Sequence, residues 1–265
     1  MTAELPRTVA RFVLVPRLNK SQKVQSTSSY QAIASDIAIG QLLVLLQHFQ
    51  LGTLQDLRDM LNDSGAVISG SAALAVFHPG RFMPNDIDFY VLESGYRRLS
   101  SYLHERGYRV VRSHILHYSG LRRMRAVEIL YRRNSRGPVN IVVCGGPHVL
   151  STIAGFHSTL VMNYIAGHGA ICLYPLWTML NTGLVVPCLG DDADATAACI
   201  EKYRARGFVL LDSNRLDSHS QNTQSSHSRF AQRHLHDGDV LFIPFDARTT
   251  DLREFEGPVS WEIRH

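Results

Sequence analysis

Apolar residues recur at helical spacing in three stretches of the first half of the chain. "DIAIGQLLVLLQHF", "TLQDLRDMLNDSG" and "SGYRRLSSYLHERGY" each place leucines on one side of a helix with a period of 3.6 residues. Polar residues that favour helix starts precede these runs, and glycines that favour helix ends follow two of them. The expected caps are Asp36, Thr53, Ser94, Gly65 and Gly107.

Short apolar runs bounded by turn residues predict strands between the helices. "AVIS" leads through Gly70 into the apolar helix "SAALAVF", and "DIDFYVL" is the next strand. "RAVEILYRR" and "VNIVVCG" flank "NSRGP" and predict an antiparallel hairpin. "TVARFVLVPR" and "DVLFIPFDA" predict one strand near each end of the chain, and the Ser-rich "KSQKVQSTSSYQ" predicts a loose loop.

The pattern after Pro147 favours helices. "VLSTIAGFHSTLVMNYIAG", "LYPLWTMLNTGLV" and "DADATAACIEKYRARG" have no strand-like alternation. The order of elements predicts an α/β (α+β) fold, a mixed sheet flanked by helices with a helical C-terminal extension. The predicted parts are an N-terminal strand and polar loop (1–35), a core (36–146), the helical extension (147–212), a flexible loop (213–229) and a C-terminal strand and tail (230–265).

The composition is that of an ordinary globular protein. Of 265 residues, 45% are hydrophobic and 19% charged, and the net charge of +4 is compatible with an anionic ligand. The four cysteines form no CxxC pair, which indicates a reduced intracellular compartment, the cytoplasm first, with nucleus and mitochondrion as alternatives. We expect no membrane partner, because the N-terminal apolar run is too short for a signal peptide and no stretch approaches a membrane-spanning length. The oligomeric state stays open.

One group of residues has the spacing of a binding site for metal and phosphate. Gly70 and Ser71 stand between a strand and a helix, and Asp86 and Asp88 follow 15 residues after the serine. Carboxylates two apart in a strand project from the same face and repel each other unless a cation lies between them. The free N–H groups of the helix start, with the Ser71 hydroxyl, favour phosphate oxygens. The pattern therefore predicts Mg²⁺ (or Mn²⁺) at the aspartates and a nucleoside triphosphate beside it.

The Gly-Ser turn followed by Asp-x-Asp resembles the signature of the nucleotidyltransferase fold, which DNA polymerases of the beta type, poly(A) polymerases and antibiotic adenylyltransferases share. "VISGSAALAVF", "NDIDFYV", "FHSTLVMNYI" and "CLYPLWTM" more narrowly resemble a group of uncharacterised fungal proteins with this fold, over roughly residues 60 to 212. The resemblance implies that Asp86 and Asp88 bind the metal and catalyse, and that Gly70 and Ser71 hold the triphosphate. It also implies transfer of a nucleotidyl group to an RNA, protein or small-molecule acceptor.

The sequence departs from this family where a third carboxylate is expected. The strand "VNIVVCG" offers Asn140 at that position, and an amide can neither carry the charge nor act as a base. Glu128 on the partner strand could substitute if its register directs it at Asp86 and Asp88, and an ordinary exposed strand residue is the alternative. An active enzyme and a degenerate module that binds nucleotide, RNA or protein therefore both stay open.

Arginines are concentrated around the predicted hairpin. Eleven arginines and two acidic residues lie between positions 97 and 136. Such a region can bind nucleic acid or nucleotide phosphates, or it can be a solvated strand face. The residues that we predict as phosphate or RNA contacts are Arg122, Arg123, Arg125, Arg132 and Arg133.

Overall fold

The computed structural model describes residues 20–115, 124–186, 193–212, 232–246, 251–254 and 259–261, with the backbone alone at 20–30, 115, 193, 195 and 254. These parts contain seven α-helices. They are α1 (Lys20–Phe49), α2 (Leu54–Ser64), α3 (Gly70–Phe77), α4 (Glu93–Glu105), α5 (Leu150–Ile153), α6 (Pro175–Met179) and α7 (Ala193–Ala205). Two short 3₁₀ helices cover Thr159–Val161 and Leu252–Glu254.

Eight of the twelve strands within the described residues form one mixed sheet, so the predicted mixed α/β class is confirmed. The strands are β1 (Val67–Ser69), β2 (Ile87–Leu92), β3 (Arg109–Ile115), β4 (Met124–Tyr131), β5 (Val139–Cys144), β6 (Asn163–Ala166), β7 (Gly169–Cys172), β8 (Thr182–Val185), β9 (Val209–Asp212), β10 (Arg233–His234), β11 (Leu241–Pro244) and β12 (Ser260–Trp261). The sheet has the order β11-β7-β6-β1-β2-β5-β4-β3, and only the β2–β5 pair is parallel. The other strands pair as β8–β9 and β10–β12.

Apolar side chains cover both faces of the central strands. Phe89 of β2 and Ile141 of β5 pack on one face with α1, α2 and α4. Tyr90 and Val142, the next residues along the same strands, pack on the other face with α5 and the C-terminal segments. Successive strand residues point to opposite faces of the sheet. The register of the strands therefore determines which polar side chains lie on the same face.

The start of α2 shows why local sequence predicts that helix well. The Thr53 hydroxyl accepts a hydrogen bond from the Asp56 N–H, and the Asp56 carboxylate accepts one from the Thr53 N–H. These reciprocal bonds satisfy two backbone donors that the first helical turn leaves unpaired. Gly65 ends the helix with a φ of 63°, a left-handed conformation that glycine adopts without a steric penalty. Both predicted caps are confirmed.

The prediction of a polar loop before residue 36 is wrong. Helix α1 begins at Lys20, so "KSQKVQSTSSYQ" is helical and Asp36 lies inside the helix rather than at its cap. The stretch contains no proline or glycine, and nothing in it interrupts a helix that continues from the apolar half of α1. The predicted strand in "TVARFVLVPR" lies outside the described residues, as do 213–229.

The predicted helical extension is also wrong over much of 147–212. Strands β6 and β7 form a hairpin within "NYIAGHGAIC" and extend the main sheet beside β1, and β8 is a further strand. All residues of β6 and β7 are buried, so the hairpin lacks the alternation that identifies a half-buried strand. Within this region, the predicted helix α7 is confirmed.

Two smaller differences concern the first half of the chain. Ser94 lies in the first turn of α4 rather than at its N-cap, and the sequence did not predict strand β3.

One helical stretch meets the length and composition of a membrane span, against the sequence-based expectation. Gln31–Phe49 of α1 is long and apolar enough by these two measures. Its Ala38, Leu42, Leu45 and Phe49 are fully buried in the core beside the sheet. A core helix passes the same test, so this stretch is weak support for a membrane span.

Tyr108 joins α1 to the end of α4. Its side chain is fully buried, and its hydroxyl donates a hydrogen bond to the carbonyl of Phe49. We expect Tyr108→Phe to lower the free energy of unfolding by about 1–2 kcal/mol, because it leaves that buried carbonyl without this donor. Urea denaturation would measure the loss. Tyr131→Phe is the matched control, since Tyr131 is 47% exposed; equal effects of the two changes would contradict the prediction.

Candidate functional site

The turn from β1 into α3 places glycine where a side chain would be strained and crowded. Gly70 has a φ of 68°, in the left-handed region that L side chains rarely adopt. A Cβ atom at this position would lie 3.1 Å from the Oδ2 atom of Asp88. Gly70 therefore serves both the backbone turn and the space that the Asp88 carboxylate occupies.

Asp88 lies between β1 and β5. It pairs with Ser69 on one side and with Asn140 on the other. The Asn140 amide Nδ2 donates a hydrogen bond to the Asp88 Oδ1 atom at 2.7 Å. The Asn140 Oδ1 atom is buried and accepts no hydrogen bond from the residues that the structure describes. The expected third-carboxylate position is thus occupied by an amide that donates to Asp88.

Asp86 stands just before β2, and its charge acts on Asp88. The Ser71 hydroxyl donates to the Asp86 Oδ1 atom at 3.5 Å, a long contact. Burial, and after it the Asp86 charge, raise the pKa of Asp88 to about 6, while the Asn140 hydrogen bond and the Lys202 charge oppose this rise. The structure therefore brings Gly70, Ser71, Asp86 and Asp88 together, with Asn140 beside them.

The chemistry of this donor set fits a hard divalent cation. Two carboxylates that repel each other gain most from a positive charge placed between them. Mg²⁺ commonly binds through one or two carboxylates and completes its shell with water and substrate phosphates. Within the described ranges, no group of three or more His, Cys, Asp or Glu side chains is placed to hold a metal. The arrangement suits a shared metal–phosphate site better than a metal site made by protein ligands alone.

Glu128 does not supply the third carboxylate. It pairs with Ile141 in the β4–β5 ladder, whereas Asn140 pairs with Ile129. Glu128 therefore projects from the opposite face to Asn140 and Asp88. There its Oε2 atom accepts a hydrogen bond of 2.8 Å from the Tyr96 hydroxyl of α4. The register therefore does not direct Glu128 at Asp86 and Asp88, which its proposed catalytic role required.

Helix α7 brings a cation and an aromatic ring to the site that sequence reasoning did not identify. The Lys202 charge opposes the rise in the pKa of Asp88. Burial raises the pKa of Tyr203, and the charges of Asp88 and Asp86 add to that rise. The ring of Tyr203 stacks with that of His157 at a centroid distance of 6.1 Å. These residues lie more than 65 positions beyond Asp88, and no local motif connects them with it.

Arg81 holds the end of α7 near the aspartates. This residue lies between α3 and β2 and donates hydrogen bonds to the carbonyls of Arg206 and Gly207 and to the Asn181 side chain. Its guanidinium also stacks over the Phe208 ring at 4.4 Å. Apolar contacts of Tyr203 and Phe208 with Leu74 of α3 complete the junction. The position of Lys202 therefore depends on tertiary packing.

The three predicted arginine contacts that the structure describes have different surroundings. Arg125 pairs with Glu93 at 2.5 Å, and Arg132 donates to the Gln50 carbonyl at 3.2 Å near the end of α1. Arg133 is exposed and has no ion pair with a described residue. Arg122 and Arg123 lie outside the described residues. The assignment of these arginines as phosphate or RNA contacts stays a prediction.

Comparisons with known proteins found no match among protein-family models, curated proteins or solved structures. The resemblance to nucleotidyltransferases therefore rests on the residues quoted from the sequence and stays a prediction.

Proposed function

We propose that this protein binds a nucleoside triphosphate together with Mg²⁺ (or Mn²⁺) at Asp86 and Asp88, on a nucleotidyltransferase-like sheet. The observation that supports the proposal is the convergence of the Gly70–Ser71 turn with both carboxylates on one sheet face. Gly70 lies against the Asp88 carboxylate, and the Ser71 hydroxyl reaches Asp86. Anion-binding groups and cation-binding groups thus lie within one site.

Each residue has a distinct role in this proposal. The N–H groups at the start of α3 and the Ser71 hydroxyl hold phosphate oxygens, and the helix dipole favours their negative charge. Asp86 and Asp88 hold the metal, which when bound neutralises the phosphate charge. Lys202 adds a positive charge on the α7 side. Asn140 fixes the Asp88 carboxylate through its hydrogen bond.

Nucleotidyl transfer is the second candidate. In such a reaction the oxygen of an acceptor hydroxyl bonds to the α-phosphorus, the α–β bridging bond breaks, and pyrophosphate leaves. The hydroxyl proton must pass to a base, and Asn140 cannot accept it. Because Glu128 faces away, the geometry favours binding without turnover over catalysis.

Calorimetric titration of ATP, GTP, CTP and UTP, with and without Mg²⁺, tests the binding proposal. We expect binding that requires Mg²⁺ and that Asp86→Asn/Asp88→Asn weakens at least tenfold. Asp59→Asn/Asp63→Asn is the control, since it makes the same charge change at two exposed positions of α2. Absence of binding by all four nucleotides, or equal affinity in both double variants, would overturn the proposal.

Release of pyrophosphate separates the two candidates. Wild-type protein that binds nucleotide is expected to release none above the rate without protein, in the presence of RNA or protein acceptors. Multiple turnovers that disappear in Asp88→Asn would instead establish an active transferase.

A further inference from the structure

A bulge in β3 places two arginines on the same side of the sheet. Arg109 pairs with Tyr131 and Arg112 pairs with Ile129, with a register shift between Val110 and Arg112. In a regular strand, residues three apart point to opposite faces. The extra residue, Val111, restores both arginines to one face, in the way that bulges redirect side chains.

This face is the one that carries the aspartates. The register connects Ser69, Asp88, Asn140, Ile129 and Arg112 in one row across five neighbouring strands. Residues paired directly across a sheet project from the same face. Arg112 is three strands from Asp88, so about 14 Å separates their Cα atoms at ~4.8 Å per strand. The candidate site and the edge strand β3 thus lie on the same face of the sheet.

This face of the sheet is exposed and positively charged at strand β3. Arg109, Arg112 and His114 are exposed, and Tyr131 is 47% exposed beside them. Arg109 lies at the sheet edge, where its guanidinium donates to the carbonyl of His104 at the end of α4 and to that of Tyr108. Both acceptors are uncharged, so the charge of Arg109 is not compensated by them. Arg112 forms no ion pair with any residue in the described parts of the chain, and Glu128 projects from the other face. The face therefore combines cationic groups with an exposed aromatic ring.

We propose that the basic strand face, defined as Arg109, Arg112, His114 and Tyr131, binds single-stranded RNA. Guanidinium groups pair with phosphates, and the exposed ring offers a stacking surface for a base. The distance of about 14 Å from Asp88 corresponds to roughly four stacked nucleotides at ~3.4 Å each. The placement of the RNA end at Asp86 and Asp88 rests on the proposed function, whereas binding to the face does not.

Fluorescence anisotropy with a labelled 12-nucleotide RNA, without nucleotide or metal, tests this surface. We expect Arg109→Gln/Arg112→Gln to weaken binding at least tenfold and to reduce the slope of log K against log salt concentration by about 2. Tyr131→Ala is expected to weaken binding about fivefold, and Tyr131→Phe to retain it, because phenylalanine keeps the stacking ring.

Matched variants separate this surface from general charge attraction. Arg97→Gln/Arg98→Gln removes two exposed arginines from α4, the helix on the opposite face, and should retain most of the affinity. Asp86→Asn/Asp88→Asn should bind RNA at least as tightly as wild type, even if triphosphate binding fails. The proposal is overturned by no binding at 50 mM salt, by equal losses in the two arginine pairs, or by polyglutamate competing as well as unlabelled RNA at equal charge.

Discussion

Asp88→Asn is expected to make the metal-free protein more stable at pH 8, by about 1–3 kcal/mol. Burial and the Asp86 charge raise the pKa of Asp88 from its ordinary 3.8 to about 6. The folded state therefore binds more protons than the unfolded state between about pH 4 and pH 6. The free energy of unfolding therefore falls as the pH rises through this window. Asp88→Asn removes the contribution of Asp88 to this fall, because asparagine does not ionise.

Urea denaturation in EDTA at pH 4 and pH 8 would measure this effect. The difference between variant and wild type should be large at pH 8 and should shrink at pH 4, where most Asp88 is protonated in the folded state. Asp59→Asn, at an exposed position of α2, is the control and should change stability by less than about 0.5 kcal/mol. A wild type more stable than Asp88→Asn at pH 8 would show that the carboxylate is not destabilising there.

The same experiment with Mg²⁺ connects stability with the proposed function. A ligand that binds the folded state alone stabilises it by RT ln(1 + [L]/Kd). Mg²⁺ with ATP should therefore stabilise the wild type and leave Asp88→Asn nearly unchanged. That result would show that Asp86 and Asp88 lower the stability of the empty protein and serve to bind metal and nucleotide.

Gly137→Ala is expected to destabilise the protein by about 1–3 kcal/mol. A Cβ atom at Gly137 would lie 2.2 Å from the carbonyl oxygen of Asn85 and 3.1 Å from the Phe49 ring. Backbone must move to relieve the first contact, and such overpacking is costly in a buried position. Asn85 immediately precedes Asp86, so the movement should also weaken triphosphate binding.

Gly40→Ala is the matched control because it makes the same chemical change without a clash. No heavy atom lies within 4 Å of a Cβ built at Gly40, in the interior of α1. We expect this variant to gain about 0.5–1 kcal/mol, because alanine favours the helix more than glycine does. Thermal unfolding of both variants measures the contrast, and a Gly137→Ala midpoint equal to that of wild type would contradict the close approach.

The parts of the site that the sequence predicted depend on short-range rules. A strand followed by Gly70 and a helix, and two aspartates two residues apart, specify their own local geometry. The Thr53 cap of α2 and the β4–β5 hairpin likewise depend on neighbouring residues. Propensity was less informative for β6 and β7, where burial on both faces removes the alternation that distinguishes a strand from a buried helix.

The sequence by itself determined the local elements and the residues that can hold metal and phosphate, because strand alternation and helix capping act over a few positions. Only the tertiary structure decided that Asn140 donates to Asp88, that Glu128 faces away, and that the Lys202 charge acts on Asp88. The bulge in β3 also depends on the tertiary structure, and it places Arg112 on the same face of the sheet as Asp88. These relations depend on strand register and helix docking, in which residues distant along the chain are brought together by pairing and burial that no local pattern records.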